Sequence, residues 1–343
     1  MVVKEASSTV LRRRPTIKDI AALASVSPWT VSQVIRGNAE SAISQATRDR
    51  VLAIASEIDY RPNLAAVALN NSRTNLIEMW ICTHPEYSAF FGWVQHTFYT
   101  VAARDGYRCI TENIPMQLSW RNTCPNSLRW PVDGIVAIDT GGAVRAYQKT
   151  HPNDQVPIVN MGAQCGEETD YVKIDHKPGS IASCEHLIEQ GCRRIAFMGR
   201  LPRDERAKTY IEVMSAAERP LELIMLEADT RAAAYAGFRE YTAERGVPDG
   251  LICLNDDIAM GVLGSAFAMG LSVPKDLAIV GCDGIEDTLY AAVPITTVQL
   301  DVEEYCTMAW EILKSKIDQP AHPTRRRIVT PRLVVRASSL RRG

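Results

Sequence analysis

The fold is decided by Thr16-Ile17-Lys18-Asp19-Ile20-Ala21-Ala22-Leu23-Ala24-Ser25-Val26-Ser27-Pro28-Trp29-Thr30-Val31-Ser32-Gln33-Val34-Ile35. Thr16 stands where a helix cap belongs, and Asp19, at the third helical position, puts negative charge at the positive end of the dipole. Ile20, Ala21, Leu23 and Ala24 supply an apolar stripe. Ser25-Val26-Ser27 breaks that helix. Ser27 caps a second one, and Pro28 suits its first turn because an N–H there has no intrahelical partner. Gly37 ends it. Val31, Val34 and Ile35 share the side that faces the first helix, which turns Pro28, Trp29, Ser32, Gln33 and Arg36 outward. A third helix follows, capped by Ser44, with Val51, Leu52, Ala55 and Ile58 as its core face. Its Arg48 and Arg50 point outward, either as solvated charge or as phosphate contacts. Two short helices about a tight turn, the second sized for the major groove, predict a helix-turn-helix domain over 15–60 that binds double-stranded DNA. Residues 1–14 read as a disordered lead.

Outward from that head, charge is unevenly spread. Residues 1–73 hold ten Lys or Arg against six Asp or Glu, while the whole chain of 343 residues carries a formal charge of −2. A basic head on an acidic body suits a head that meets phosphate, although chance produces such asymmetry too. The nine cysteines are scattered with no Cys-x-x-Cys pair, as in a reduced, cytoplasmic protein rather than a disulfide frame or zinc site. Met1 to Pro15 is basic at Arg12, Arg13 and Arg14 without a following apolar run, so no signal peptide is expected, and no stretch is apolar enough to span a membrane.

Between head and body, 61–75 reads as a hinge. Arg61 to Asn70 reads as a short helix after a proline, with Asn63 as its cap, too short to persist alone. From Leu76 to Gly343 the chain alternates. Strands are expected at 76–82, 107–111, 134–138, 156–160, 171–174, 194–198, 221–226, 250–254 and 278–281. Helices are expected at 91–104, 178–190, 232–245 and 256–269. That alternation predicts α/β architecture: parallel sheets flanked by helices, with ligands at the carboxyl ends of the strands. Residues 112–131, with Pro115, Pro125 and Pro131, are a poor helix.

Several stretches then fall into one pattern. In the head these are Thr16-Ile17-Lys18-Asp19-Ile20-Ala21, Val26-Ser27-x-x-Thr30-Val31-Ser32, Thr47-Arg48-x-Arg50-Val51 and Tyr60-Arg61-Pro62-Asn63. In the body they are Val132-Asp133-Gly134-Ile135, His186 to Ala196, Asn255 to Gly261, Val280-Gly281-Cys282-Asp283 and Pro294 to Val298. In order and spacing the chain resembles the LacI/GalR (lac repressor/purine repressor) family. The resemblance implies a dimeric DNA-binding regulator whose body is a two-lobed, periplasmic-binding-protein-like domain over 76–343. Crossovers between the lobes would lie near 161, 286 and 298, with a small-molecule effector, commonly a sugar, between the lobes.

The resemblance also assigns residues. Pro28, Trp29 and Gln33 would read base edges. Gln33 suits adenine, and Trp29 would meet a thymine methyl or sugar edge, or else pack on the neighbouring helix. Thr16, Thr30 and Ser32 would bond phosphate, which fixes register rather than sequence. Leu69 would wedge into the minor groove, or else pack on the body; the Arg usual two residues earlier is Val67. For the effector, Phe90 and Phe91 would stack on the ligand ring or fill the lobe core. Arg206 would clamp hydroxyls or a carboxylate. Asp256 and Asp283, just past strand ends, would accept hydrogen bonds from the ligand or cap the next helix. Gly162 departs from a family position where an Asp ligand is common.

Two other classes compete. The body alone suits a periplasmic-type solute receptor, which the head and the missing signal peptide disfavour. An enzyme would need a nucleophile–base pair, a phosphate loop or metal-ligand spacing, and none is found. No cofactor is expected.

Overall fold

The computed structural model describes residues 15–35, 41–61, 73–83, 88–115, 131–163, 169–200 and 204–341. The chain divides into two compact units, Met1–Thr74 and Asn75–Gly343.

The first unit is built on α1 (Ile17–Ala24), α2 (Pro28–Ile35) and α3 (Gln45–Glu57). The Asp19 carboxylate accepts the Thr16 backbone N–H at 2.7 Å and its hydroxyl at 2.7 Å, which fixes where α1 starts. Ser25 turns left-handed at φ 53° to end α1. The Ser27 hydroxyl oxygen then accepts the Thr30 N–H at 3.1 Å, and the Ser44 hydroxyl oxygen accepts that of Thr47 at 3.3 Å, so each following helix has its cap. Ile20, Ala21, Ala24, Val31, Val34, Val51 and Ala55 form the buried core. Two expected core leucines lie outside it: Leu23 is 61% and Leu52 is 50% exposed. At about 100° per residue, Leu23 falls well to one side of the face shared by Ile17, Ile20 and Ala24. Leu52 likewise sits one step round from Val51.

The second unit begins β1 (Leu76–Thr83), α4 (Ala89–Arg104), β2 (Arg108–Pro115), β3 (Gly134–Ile138), α5 (Gly141–Thr150), β4 (Ile158–Gly162) and β5 (Asp170–Ile174). It continues α6 (Lys177–Glu189), β6 (Ile195–Gly199), α7 (Glu205–Ala216), β7 (Glu222–Met225), α8 (Arg231–Arg245), β8 (Gly250–Cys253), α9 (Asp256–Ala268), β9 (Ala278–Asp283), α10 (Asp287–Tyr290) and β10 (Thr296–Gln299). It ends α11 (Val302–Asp318), β11 (Arg326–Val329) and β12 (Arg332–Val334). Two six-stranded sheets result, ordered β11-β5-β4-β3-β1-β2 and β12-β10-β9-β8-β6-β7. All pairings are parallel except β10 with β12. Helices are needed to reverse the chain between parallel strands, and they cover both faces of each sheet. In β1, Ile77, Met79 and Ile81 join the core under α4 and α11, while Trp80 faces Tyr147 of α5 at 5.3 Å between ring centroids.

The chain changes lobe at 175–176, 300–301 and 330–331, which corrects the expected crossovers at 161 and 286 and moves the one near 298 past the end of β10. Met161 lies inside β4, which continues into the same sheet because β5 pairs with it in parallel, Val159 opposite Asp170. Glu286 directly precedes α10, within the second lobe. The third crossover follows β11, which expectation missed. Residues 112–115 complete β2; the remainder of the atypical stretch to 130 lies outside the described residues.

Candidate functional sites

In the head, the expected outward face of α2 is exposed at Pro28 and Trp29 and half-buried at Ser32 and Gln33. Trp29 is 62% exposed, so the indole is not packed on a neighbouring helix. Val31 and Val34 anchor the opposite face. The Thr30 hydroxyl pairs with that of Ser27 at 2.9 Å, and the Thr16 hydroxyl donates to Asp19. Arg48 is not an outward charge. Its guanidinium donates to the Ser41 carbonyl and hydroxyl at 3.0 and 2.8 Å and to the Ile43 carbonyl at 3.3 Å, tying the approach to α3. Arg50 is exposed. Arg36, Asn63 and Leu69 lie outside the described residues.

In the body, polar groups gather where strands end and the lobes face each other. Arg206, in the first turn of α7, forks onto both oxygens of Asp204 at 2.9 Å and donates to the Leu254 carbonyl at 2.7 Å. Asp204 caps the same helix by accepting the Arg206 N–H. Burial disfavours the ionised Asp204, but the Arg206 charge outweighs it and holds the carboxyl well below the usual range. His176, at the first crossover, lies 3.9 Å from the Cys282 thiol. Burial and then the Arg206 charge push its pKa down to about 3, so the imidazole is neutral.

Asp283 ends β9 at φ 118°, a backbone angle rare for any residue but glycine. Its carboxylate accepts no hydrogen bond from a described residue. Burial first, then the charge of Asp256, raises its pKa strongly against the pull of Arg206. From the first lobe, Asp139 follows β3 at φ 51° and accepts the Ala163 N–H at 3.3 Å. Burial pushes it up to about 6, opposed by that bond and by the Arg206 charge. Arg206 therefore acts electrostatically on carboxylates of both lobes. Beside this group the Ala89 N–H of α4 donates to Asp257 at 3.4 Å across the lobes, while Arg231 holds the other oxygen of Asp257 at 2.8 Å. Phe90 and Phe91 follow Ala89, half-buried, edge to face at 5.7 Å between centroids, and packed on the first-lobe core.

One expected ligand is reassigned. Asp256 is fully buried and its carboxylate accepts the N–H groups of Gly284 and Ile285 at 2.7 and 2.9 Å and the Thr297 hydroxyl at 2.7 Å. It braces the turn after β9 instead of presenting itself to a ligand. The cap of α9 is Asn255, which accepts the Ile258 N–H at 2.8 Å. Sequence reasoning missed Asp139, His176, Asp204 and Asp257. Asp139 carried a usable signal, since like Asp283 it is an acid just past a strand end. Among the described residues no helix is long and apolar enough to cross a membrane, and no group of three acidic, His or Cys side chains has metal-binding geometry.

Comparison with known proteins agrees with both halves of this geometry. Residues 16–63 match a family described as bacterial regulatory proteins, lacI family, and residues 184–339 match a periplasmic binding protein-like domain. The ribose operon repressor of Halalkalibacterium halodurans is 27% identical over 331 residues, covering 94% of this chain and 97% of that protein. The HTH-type transcriptional repressor PurR of Aliivibrio salmonicida is 28% identical over 331 residues, covering 94% and 98%. Among solved structures, a lac repressor dimer bound to operator and the anti-inducer ONPF has a TM-score of 0.78 at 21% identity, covering 96% of this chain and 100% of that one. A complex of the transcriptional regulator CelR with cellobiose has a TM-score of 0.64 at 24% identity, covering 95% and 100%.

Proposed function

Since the chain belongs to the lacI family of bacterial regulatory proteins, we propose that it is a transcriptional repressor that binds a near-palindromic DNA operator as a dimer and is switched by a sugar-like effector held between its lobes. The observation that carries this reading is α2. An eight-residue helix buries Val31 and Val34 and turns Pro28 and the exposed Trp29 outward at its N-terminal end, the end that meets base edges in helix-turn-helix docking. One head reads a half-site, so two-fold symmetry in the protein calls for a near-palindrome in the DNA.

The relatives are repressors rather than enzymes, one named for a ribose operon, and a structural neighbour holds cellobiose. The cleft lined by Arg206, Asp283 and Asp139 supplies the hydrogen-bonding groups a sugar needs. Binding there would shift the population between lobe arrangements, because a ligand that bridges both lobes favours one of them. The test is selection from random double-stranded DNA with the full chain, followed by titration of the selected complex with ribose, cellobiose and lactose. Enrichment of a near-palindrome whose affinity changes with one of these sugars is the expected result. Selection of no sequence would sink the regulator reading.

A further inference from the structure

Gly162 ends β4 in the first lobe, and the structure shows what fills the space beside it. A Cβ built on Gly162 would lie 2.0 Å from Oδ1 of Asp139 and 2.8 Å from its carboxyl carbon. Gly162 also has φ 137°, a conformation L side chains rarely adopt. The two features belong together: no side chain fits at 162 because a carboxylate from the end of β3 already occupies the place beside the end of β4.

The charges around that carboxylate limit what it meets. Among the described residues, the Arg206 charge acts on three carboxylates, Asp139, Asp204 and Asp283. Arg206 has both arms of its fork on Asp204 and a third donor on the Leu254 carbonyl. His176 is uncharged. Asp139 receives one protein N–H and Asp283 receives none from the described residues. Each carboxylate oxygen can accept about two hydrogen bonds, so both acids have acceptor capacity unused by the described residues, one in each lobe. A phosphate or carboxylate on the ligand would bring another negative charge into a group where Asp283 already faces the like charges of Asp256, Asp257 and Asp139.

We infer that Asp139 is a first-lobe effector carboxylate of this protein, and that the effector is a polyhydroxyl ligand without negative charge, bridging Asp139 and Asp283. This rests on the cleft being a sugar site, as proposed above.

The test is calorimetric titration of the full chain with ribose, cellobiose and lactose, and with ribose 5-phosphate as an anionic probe. The same titrations are run on Asp139→Asn and Asp139→Ala. Asn tolerates the left-handed backbone at 139, and ligand-free melting temperatures identify any variant that is simply unfolded. The expected result is that the wild type binds at least one neutral sugar and not the phosphate, with affinity about tenfold weaker in Asp139→Asn, the scale of one charge-assisted hydrogen bond, and weaker still in Asp139→Ala. A sugar bound equally well by wild type and both folded variants overturns the assignment of Asp139 while leaving the sugar reading in place. Tighter binding of ribose 5-phosphate than ribose overturns the charge assignment. Binding of no sugar overturns this inference and the sugar reading together.

Discussion

Asp256 at the start of α9 accepts the Thr297 hydroxyl of β10 at 2.7 Å, joining elements 41 residues apart through a carboxylate with no solvent exposure. The same side chain also holds the Gly284 and Ile285 N–H groups, so it sets the course of the turn that follows Asp283. Asp256→Ala strands three buried donors and is expected to cost about 3–5 kcal/mol, with Thr297→Val costing about 1 kcal/mol. Urea unfolding of the full chain measures both. A variant that keeps its stability and loses only sugar affinity would return Asp256 to the ligand role.

Gly162→Ala should be costly for a residue on the rim of a cleft. The new methyl meets Asp139 at 2.0 Å and forces a β-carbon into φ 137°. Together the clash and the backbone penalty come to about 2–4 kcal/mol. Removing the obstacle should recover part of this, so Asp139→Gly in the Gly162→Ala background is expected to be more stable than Gly162→Ala alone. Strict additivity of the two changes in unfolding free energy would show that the residues do not compete for space.

Glu78 in β1 is buried, with one carboxylate oxygen lacking a hydrogen-bond partner. Burial, reinforced by the charge of Glu112, pushes its pKa from an ordinary 4.5 up to about 7. The folded chain therefore holds this proton more tightly than the unfolded chain. The resulting stability is complete below pH 4.5 and is lost as pH rises through 7, on the order of 3 kcal/mol. Glu78→Gln should flatten that loss and be the more stable protein at pH 8. Unfolding curves from pH 4 to 8, taken as the difference from wild type, isolate Glu78 from other acids. Parallel curves would refute the shift.

Much of this was legible in residue order, and the failures share a cause. Helix caps depend on residues three apart, so Thr16, Ser27 and Ser44 could be read directly. The buried strand β3 was legible as an uninterrupted apolar run, Gly134–Ile138. By contrast β11 carries Arg326 and Arg327 on an exposed sheet edge and shows no apolar run or alternation. Its existence, and with it the third crossover, is set by pairing with β5 some 155 residues earlier. The acids past strand ends were equally ambiguous. Asp139, Asp256 and Asp283 look alike in sequence, and only the distant Gly284, Ile285 and Thr297 decide that Asp256 is the braced one.

Gln33 on α2 gives a prediction about DNA alone. Gln is suited to paired hydrogen bonds with adenine, so Gln33→Ala should relax selection at one position of each half-site and cost about 1–3 kcal/mol on the selected operator. Trp29→Ala should act on the same half-site with little effect on stability, because its ring is mostly solvent-exposed. Selection from random DNA with each variant measures this. An unchanged site for Gln33→Ala removes it from base reading.

Arg206 is bonded to Asp204 and to the Leu254 carbonyl, and separating that structural role from a contact with ligand requires two variants. Arg206→Ala leaves Asp204 without its cation and is expected to cost about 2–4 kcal/mol of stability, since breaking a largely buried pair strands the surviving charge. Any loss of sugar affinity in that variant is therefore mixed with loosening of α7, which Asp204 caps. Arg206→Lys keeps the charge beside Asp204 but cannot supply a planar fork. It should recover much of the stability while sugar affinity stays about tenfold down, the cost of one charge-assisted hydrogen bond. Melting temperature and calorimetric titration with the same sugar report the two effects separately. If Arg206→Lys restores both together, Arg206 acts on the ligand only through Asp204, as the residue that positions the start of α7.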